Sequence, residues 1–219
     1  MENVVQTWAK ELKQVLGNNL VSVILYGSAA RGDHVRARSD LNLMLVFKKL
    51  DLEHITKVGK LMRRKLRKQA PQLVFWTEEE LNNAWDVFPL EFEDIMENHR
   101  CLLGEDPFKK RKVDKKRMRY QLEFELRSKL LTVRDTWLNS NRNKYALEMF
   151  LIKAGNSFDY LIRKADTVLG KKLVVPQDVF DKIKKLKKKE IRLKRGELRG
   201  LFYQLHETVE SVIGQIDKA

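Results

Sequence analysis

Apolar positions in the first half of this chain switch between two spacings. Val4, Val5, Trp8, Leu12, Val15 and Leu16 recur at helical intervals, and Gly17-Asn18-Asn19 ends that run. Leu20-Val21-Ser22-Val23-Ile24-Leu25-Tyr26 follows, β-branched and apolar enough for a buried strand. Gly27-Ser28 turns the chain into a short helical start at Ala29-Ala30-Arg31, and a polar loop runs on to Ser39. Leu41 to Phe47 is apolar almost throughout, as a second buried strand would be. Residues 51–69 read as a basic amphipathic helix that ends before Pro71, because the residue preceding a proline is pushed out of the helical region. Leu73-Val74-Phe75-Trp76 is a third, short strand. Thr77 then precedes Glu78-Glu79-Glu80, a capping hydroxyl followed by acids at the positive end of a helix, so a helix through Trp85 is expected. Residues 90–98 continue as helix after Pro89, and Arg100 to Gly104 reads as a last edge strand.

Beyond Gly104-Glu105-Asp106-Pro107 the strand signal fades, which places an expected boundary between a first domain of residues 1–106 and a second of 107–219. Leu122, Leu126, Leu130, Leu131 and Val133 mark one long helix to Leu138, closed by Asn139-Ser140-Asn141. Tyr145, Met149, Ile152, Phe158, Leu161 and Ile162 mark a second, with Gly170 just past its end. Pro176 opens a third in its first turn, and Leu198, Leu201, Phe202, Leu205, Val209, Val212 and Ile213 mark a fourth. The expected architecture is an α/β domain followed by an antiparallel α-helical bundle.

Charge sharpens this division. Residues 1–108 hold 15 Lys+Arg against 16 Asp+Glu, and the rest of the 44 basic and 30 acidic residues fall in 109–219, so the halves carry −1 and +15. Two readings of the basic half stay open: a surface for a polyanion, nucleic acid or an acidic partner, or a solvated Lys-rich helical face. The apolar residues interleaved with its two basic runs, Phe108, Met118 and Tyr120 with 109–119 and Ile183, Leu186, Ile191 and Leu193 with 182–195, read as core-facing at their helical spacing. Cys101 is the only cysteine, which excludes a disulfide framework within the chain and a cysteine-based zinc site. No apolar run is long enough for a membrane span, no signal peptide is read at the N-terminus, and a cytoplasmic protein is expected.

The candidate chemistry sits in Gly27-Ser28-Ala29-Ala30-Arg31-Gly32-Asp33 and in Ser39-Asp40-Leu41-Asn42. A glycine allows backbone to approach a phosphate because no Cβ intrudes, and a serine beside it adds a hydroxyl and N–H donors. Twelve positions after Ser28, Asp40 is read as entering a strand, where residues 40 and 42 would share a face and could hold hard cations side by side. Taken alone, Gly27-Ser28 is also compatible with a plain strand-to-helix turn, and Asp40 with an ordinary strand-entry residue. Tyr26 and Trp76 are read as core.

The two segments together resemble the Gly-Ser … Asp-x-Asp signature of the polymerase-beta-like nucleotidyltransferase superfamily, and within it the small prokaryotic enzymes related to kanamycin nucleotidyltransferase and the minimal nucleotidyltransferases. The resemblance is detailed over residues 20–47 and loose over the rest of the first half. It implies transfer of a nucleoside monophosphate from a nucleoside triphosphate (NTP) to a hydroxyl acceptor with Mg²⁺ or Mn²⁺. It also implies a mixed sheet with flanking helices, commonly followed by a helical domain. Carried over position by position, it makes Gly27, Ser28, Arg31 and Ser39 nucleotide-binding, and Asp40 and Asn42 catalytic and metal-holding. A homodimer is a further possibility left open.

The sequence departs from the signature in two places. The second metal-binding acid falls on Asn42, whose amide can coordinate a cation but brings no negative charge. The third acid, expected near Leu73 to Trp76, has no counterpart there, and Glu91 is the candidate to replace it. A nucleotidyltransferase fold that has lost turnover and serves as a nucleotide- or nucleic-acid-binding regulatory module is the alternative. Arg199 and His206, two turns apart on one helix, are also similar in spacing to the Arg-to-His motif of the helical ribonuclease domains that partner minimal nucleotidyltransferases; a surface histidine is the competing reading.

Overall fold

A computed structural model describes residues 2–31, 41–65, 71–140 and 142–218. Its contacts divide the chain into two compact units, Met1–Asp114 and Lys115–Ala219.

The first unit is built on a four-stranded sheet of β1 (Leu20–Tyr26), β2 (Asn42–Phe47), β3 (Gln72–Thr77) and β4 (His99–Leu103) in the order β3-β2-β1-β4. β1 runs antiparallel to both neighbours, and β2 and β3 are parallel. The parallel pair needs a crossover, supplied by helix α3 (Leu52–Lys65). The alternation of side chains along β2 sends Leu43, Leu45 and Phe47 to one face and Met44 and Val46 to the other. On the first face they join Val5, Trp8 and Leu12 of α1 (Glu2–Leu16) and Val58 and Met62 of α3. On the second they meet Leu81 of α4 (Glu78–Asn83), Phe92 and Ile95 of α5 (Pro89–Glu97), and Phe108. Both faces of the sheet are thus covered, which is why β1 and β2 are near-continuous apolar runs. Each fully buried Leu or Phe here contributes about 1.5–3 kcal/mol of transfer free energy.

Local signals act as the sequence predicts. Thr77 Oγ1 accepts from the Glu80 N–H at 3.0 Å while Glu80 Oε2 accepts from the Thr77 N–H at 2.8 Å, a complete capping box at the start of α4. Trp76 is partly buried and packs against the core, its ring centroid 5.9 Å from that of Phe88 and 6.2 Å from that of Phe92.

The second unit comprises α6 (Lys115–Ser140), α7 (Lys144–Leu169), α8 (Gln177–Lys187) and α9 (Arg195–Asp217). Of the apolar positions predicted to face inward, Leu122, Leu126, Leu130 and Val133 of α6, Phe158, Leu161 and Ile162 of α7, and Leu198, Leu201, Phe202, Leu205, Val209, Val212 and Ile213 of α9 are buried, whereas Leu131, Tyr145 and Met149 are exposed. Pro176 stands immediately before α8, not inside its first turn, and α6 runs two residues beyond Leu138. Of the apolar residues interleaved with the basic runs, Phe108, Met118, Ile183 and Leu186 are buried, Ile191 and Leu193 are half-buried, and Tyr120 is exposed, contrary to its core-facing reading. No helix among the described residues is long and apolar enough to cross a membrane.

Candidate functional site at the Gly27 bend

At the end of β1 the chain turns sharply into α2 (Ser28–Arg31) through Gly27, whose φ is +77°. L-residues with a Cβ avoid that conformation. A methyl group placed on residue 27 would stand 3.0 Å from the Asn42 side-chain nitrogen. The bend and the first residue of β2 are therefore in contact, because Tyr26 and Asn42 are register partners across the β1–β2 ladder. Asn42 is half-buried between the buried Leu41 and Leu43, a polar group at the rim of an apolar strand. Tyr26, half-buried, is flanked by Asn42 on one side and by His99 of β4 on the other. Burial raises the Tyr26 phenol above its ordinary value of 10.0.

The backbone at the bend is specific about its donors. The Gly27 N–H donates to the Asn98 carbonyl at 3.0 Å, and the Ala30 N–H donates to the Gly27 carbonyl at 3.0 Å. Gly27 thus contributes its shape and not its amide. Ser28 and Ala29 open α2, and the first amides of a helix have no intrahelical acceptor. Asn98 escaped the sequence reading: it joins α5 to β4 without a motif, and only the sheet order brings it to the bend.

The other predicted residues divide as follows. The backbone of Arg31 ends α2. Ser39 and Asp40 lie outside the described residues. Glu91 is exposed in the first turn of α5, seven residues ahead of Asn98 and so about 10 Å along the chain from the bend-facing end of that helix. Gln72, the polar residue opening β3, is exposed and pairs in register with Asn42. Among the described residues no group of three or more His, Cys, Asp and Glu side chains comes together to hold a metal. Asn42 and its register partner Gln72 place two side-chain amides at this end of the sheet.

In the second unit, Arg199 and His206 are held by their own helices' neighbours. The Arg199 guanidinium lies 4.9 Å from the Trp137 ring centroid. His206 sits between Arg134, whose Nε is 3.4 Å from Nε2, and Glu210, whose carboxylate is 3.5 Å from Nδ1.

Solved structures carry the comparison. Spectinomycin adenyltransferase AAD(9) from Enterococcus faecialis, in a complex with ATP and spectinomycin, matches 95% of this chain and 98% of its own at a TM-score of 0.54 with 12% identity. The chain has a nucleotidyltransferase fold. That fold accounts for the mixed sheet and the helical region after it, since the match runs through both units. A putative nucleotidyltransferase from Sulfolobus solfataricus is matched over 38% of this chain and 72% of its own, with 22% identity and a TM-score of 0.30. No family model matches the sequence, and no curated protein is similar to it by sequence.

Proposed function

We propose that this chain is a nucleotidyltransferase that moves a nucleoside monophosphate from an NTP to a hydroxyl acceptor with the help of a divalent cation, Mg²⁺ or Mn²⁺. The observation that carries the reading is the contact between the Gly27 bend and Asn42, on a nucleotidyltransferase fold. The adenyltransferase with this fold was solved with ATP, so ATP is the first donor to test. In this reading Gly27 lets the triphosphate approach the backbone. Ser28 and the opening amides of α2 bind its oxygens, with Arg31 and Ser39 adding to that hold.

Asp40, two residues before Asn42, and Asn42 itself would hold the cation, with Glu91 a weaker candidate. The fit is for a lightly charged site: one carboxylate and one amide neutralise less of a dication than paired carboxylates do. When bound, the cation supplies charge neutralisation at the transferring phosphorus. The chain's own part is to fix the triphosphate in line with the acceptor oxygen and to keep water from competing.

The test is incubation with each α-labelled NTP and Mg²⁺ or Mn²⁺ over a panel of hydroxyl compounds, alongside calorimetric titration of the same nucleotides. Transfer abolished by Asp40→Ala supports the enzyme. Tight NTP binding with no transfer to any acceptor would instead point to the regulatory module, and absence of NTP binding would sink both.

A further inference from the structure

In one run of the second unit, cations far outnumber their partners. Residues 182–195 hold nine Lys and Arg against a single acid, Glu190. All nine are exposed, on the last turns of α8, along the connection to α9 and at the first residue of α9. Three are neutralised: Lys182 by Asp178 at 3.4 Å, Lys184 by Asp159 at 3.5 Å and Lys188 by Glu190 at 3.7 Å. Lys185, Lys187, Lys189, Arg192, Lys194 and Arg195 make no ion pair among the described residues.

Charge alone describes a solvated helix, but two of these six stand where the local structure asks for another residue. α8 closes with the Lys189 N–H donating to the Leu186 carbonyl at 3.0 Å and the Glu190 N–H to the Lys185 carbonyl at 2.9 Å. Residue 189 thereby lies in the left-handed region, at φ +60°, where glycine is the favoured residue. α7 ends on Gly170 at φ +64° in the same role. The residue at the cap of α9 is Lys194, whose ammonium cannot accept from the opening amides of the helix. α7 again has the expected type there, Asn143, accepting from the Ala146 N–H at 3.1 Å. Lysine is kept at both places against the preference of the backbone, and departures of that kind mark positions held for something other than folding.

The residues around the cations narrow the partner. Ile191 and Leu193 are half-buried while Arg192 and Lys194 are exposed, so the connection turns its apolar side chains inward and its cations outward. Residues 182–195 include no aromatic, Asn or Gln residue, so a base finds no ring to stack on and no amide to read its edge. The four apolar residues of the run are buried or half-buried, which leaves no apolar anchor for a protein interface or a lipid surface. What remains is an array of charge. A phosphate backbone is the partner that binds through charge alone, by releasing its condensed counterions.

We propose that the end of α8 and the α8–α9 connection bind the phosphate backbone of double-stranded nucleic acid without regard to its sequence. This surface is separate from the Gly27 bend, and the proposal does not rest on the activity proposed there.

The experiment is fluorescence anisotropy of the full chain with labelled DNA and RNA duplexes of two unrelated sequences, over a salt series. Saturable binding, equal for the two sequences, is expected. With all six free cations on phosphates, log K falls against log[salt] with a slope of about −5. Lys185→Gln/Lys187→Gln/Arg192→Gln/Arg195→Gln should weaken binding roughly tenfold or more and flatten that slope by about 4. Lys144→Gln/Lys153→Gln/Lys171→Gln/Lys172→Gln removes the same charge from exposed positions elsewhere in the unit and should keep most of the affinity. Lys189→Gly/Lys194→Ser should weaken binding several-fold while raising the urea midpoint, since both changes suit the backbone. No binding of either duplex by the wild type, equal losses in the two fourfold variants, or full affinity or a lower urea midpoint in Lys189→Gly/Lys194→Ser would each overturn the proposal. So would tighter binding to polyglutamate or to phosphatidylserine vesicles than to duplex at the same salt.

Discussion

The Asn42 amide nitrogen lies 3.0 Å from the position a Cβ would take on residue 27. Two segments that the sequence separates by a polar loop are therefore one local structure, and each limits what the other can be. Gly27→Ala would meet both the φ of +77° and the Asn42 side chain. It should lose about 1–2 kcal/mol in urea unfolding from the backbone conformation alone. It should also weaken NTP binding in calorimetry, because the bend must open to relieve the contact.

Asn42→Asp replaces a neutral donor by an anion at the same place and size. Divalent-ion affinity depends on the count of charged ligands, so the variant should bind Mg²⁺ roughly tenfold or more tightly than the wild type. Titration of both chains with Mg²⁺ and Mn²⁺ in the presence of ATP reads the difference. Equal affinities would mean that the side chain at position 42 faces no cation.

Much of this fold was legible from residue patterns. β1 was read at its observed bounds, and the capping box at Thr77 announced α4, because both depend on neighbours in sequence. The Gly-Ser turn was legible for the same reason. Sheet order was not: nothing in His99–Leu103 says that it pairs with β1, so the Asn98 carbonyl that anchors the bend could not be foreseen.

Gly104→Ala and Gly17→Ala form a matched pair. Both residues have positive φ, +80° and +58°, but a Cβ at 104 meets the Val21 carbonyl oxygen at 1.9 Å whereas one at 17 meets nothing within 4 Å. Gly17→Ala should cost about 1 kcal/mol, the conformational penalty alone. Gly104→Ala should cost about 2–4 kcal/mol, since backbone must move. Chemical denaturation of the two variants separates strain from clash.

Tyr26 gives the stability an alkaline limb. Its phenol is raised by burial, so the folded chain holds this proton after the unfolded chain has begun to release it near pH 10. The contribution is fully present below that value and is lost as pH climbs through the folded pKa. Tyr26→Phe should flatten the decline of the unfolding free energy above pH 10, measured by urea titration at stepped alkaline pH.

The hydrogen bond from Gly27 to Asn98 spans 71 residues, 98 less 27. β1 and β2 can zip together as soon as both have left the ribosome, since only a short stretch separates them, but the clamp on the bend is still unsynthesised at that moment. On the function proposed above, the nascent chain completes its nucleotide site only after α5 and β4 have emerged and docked.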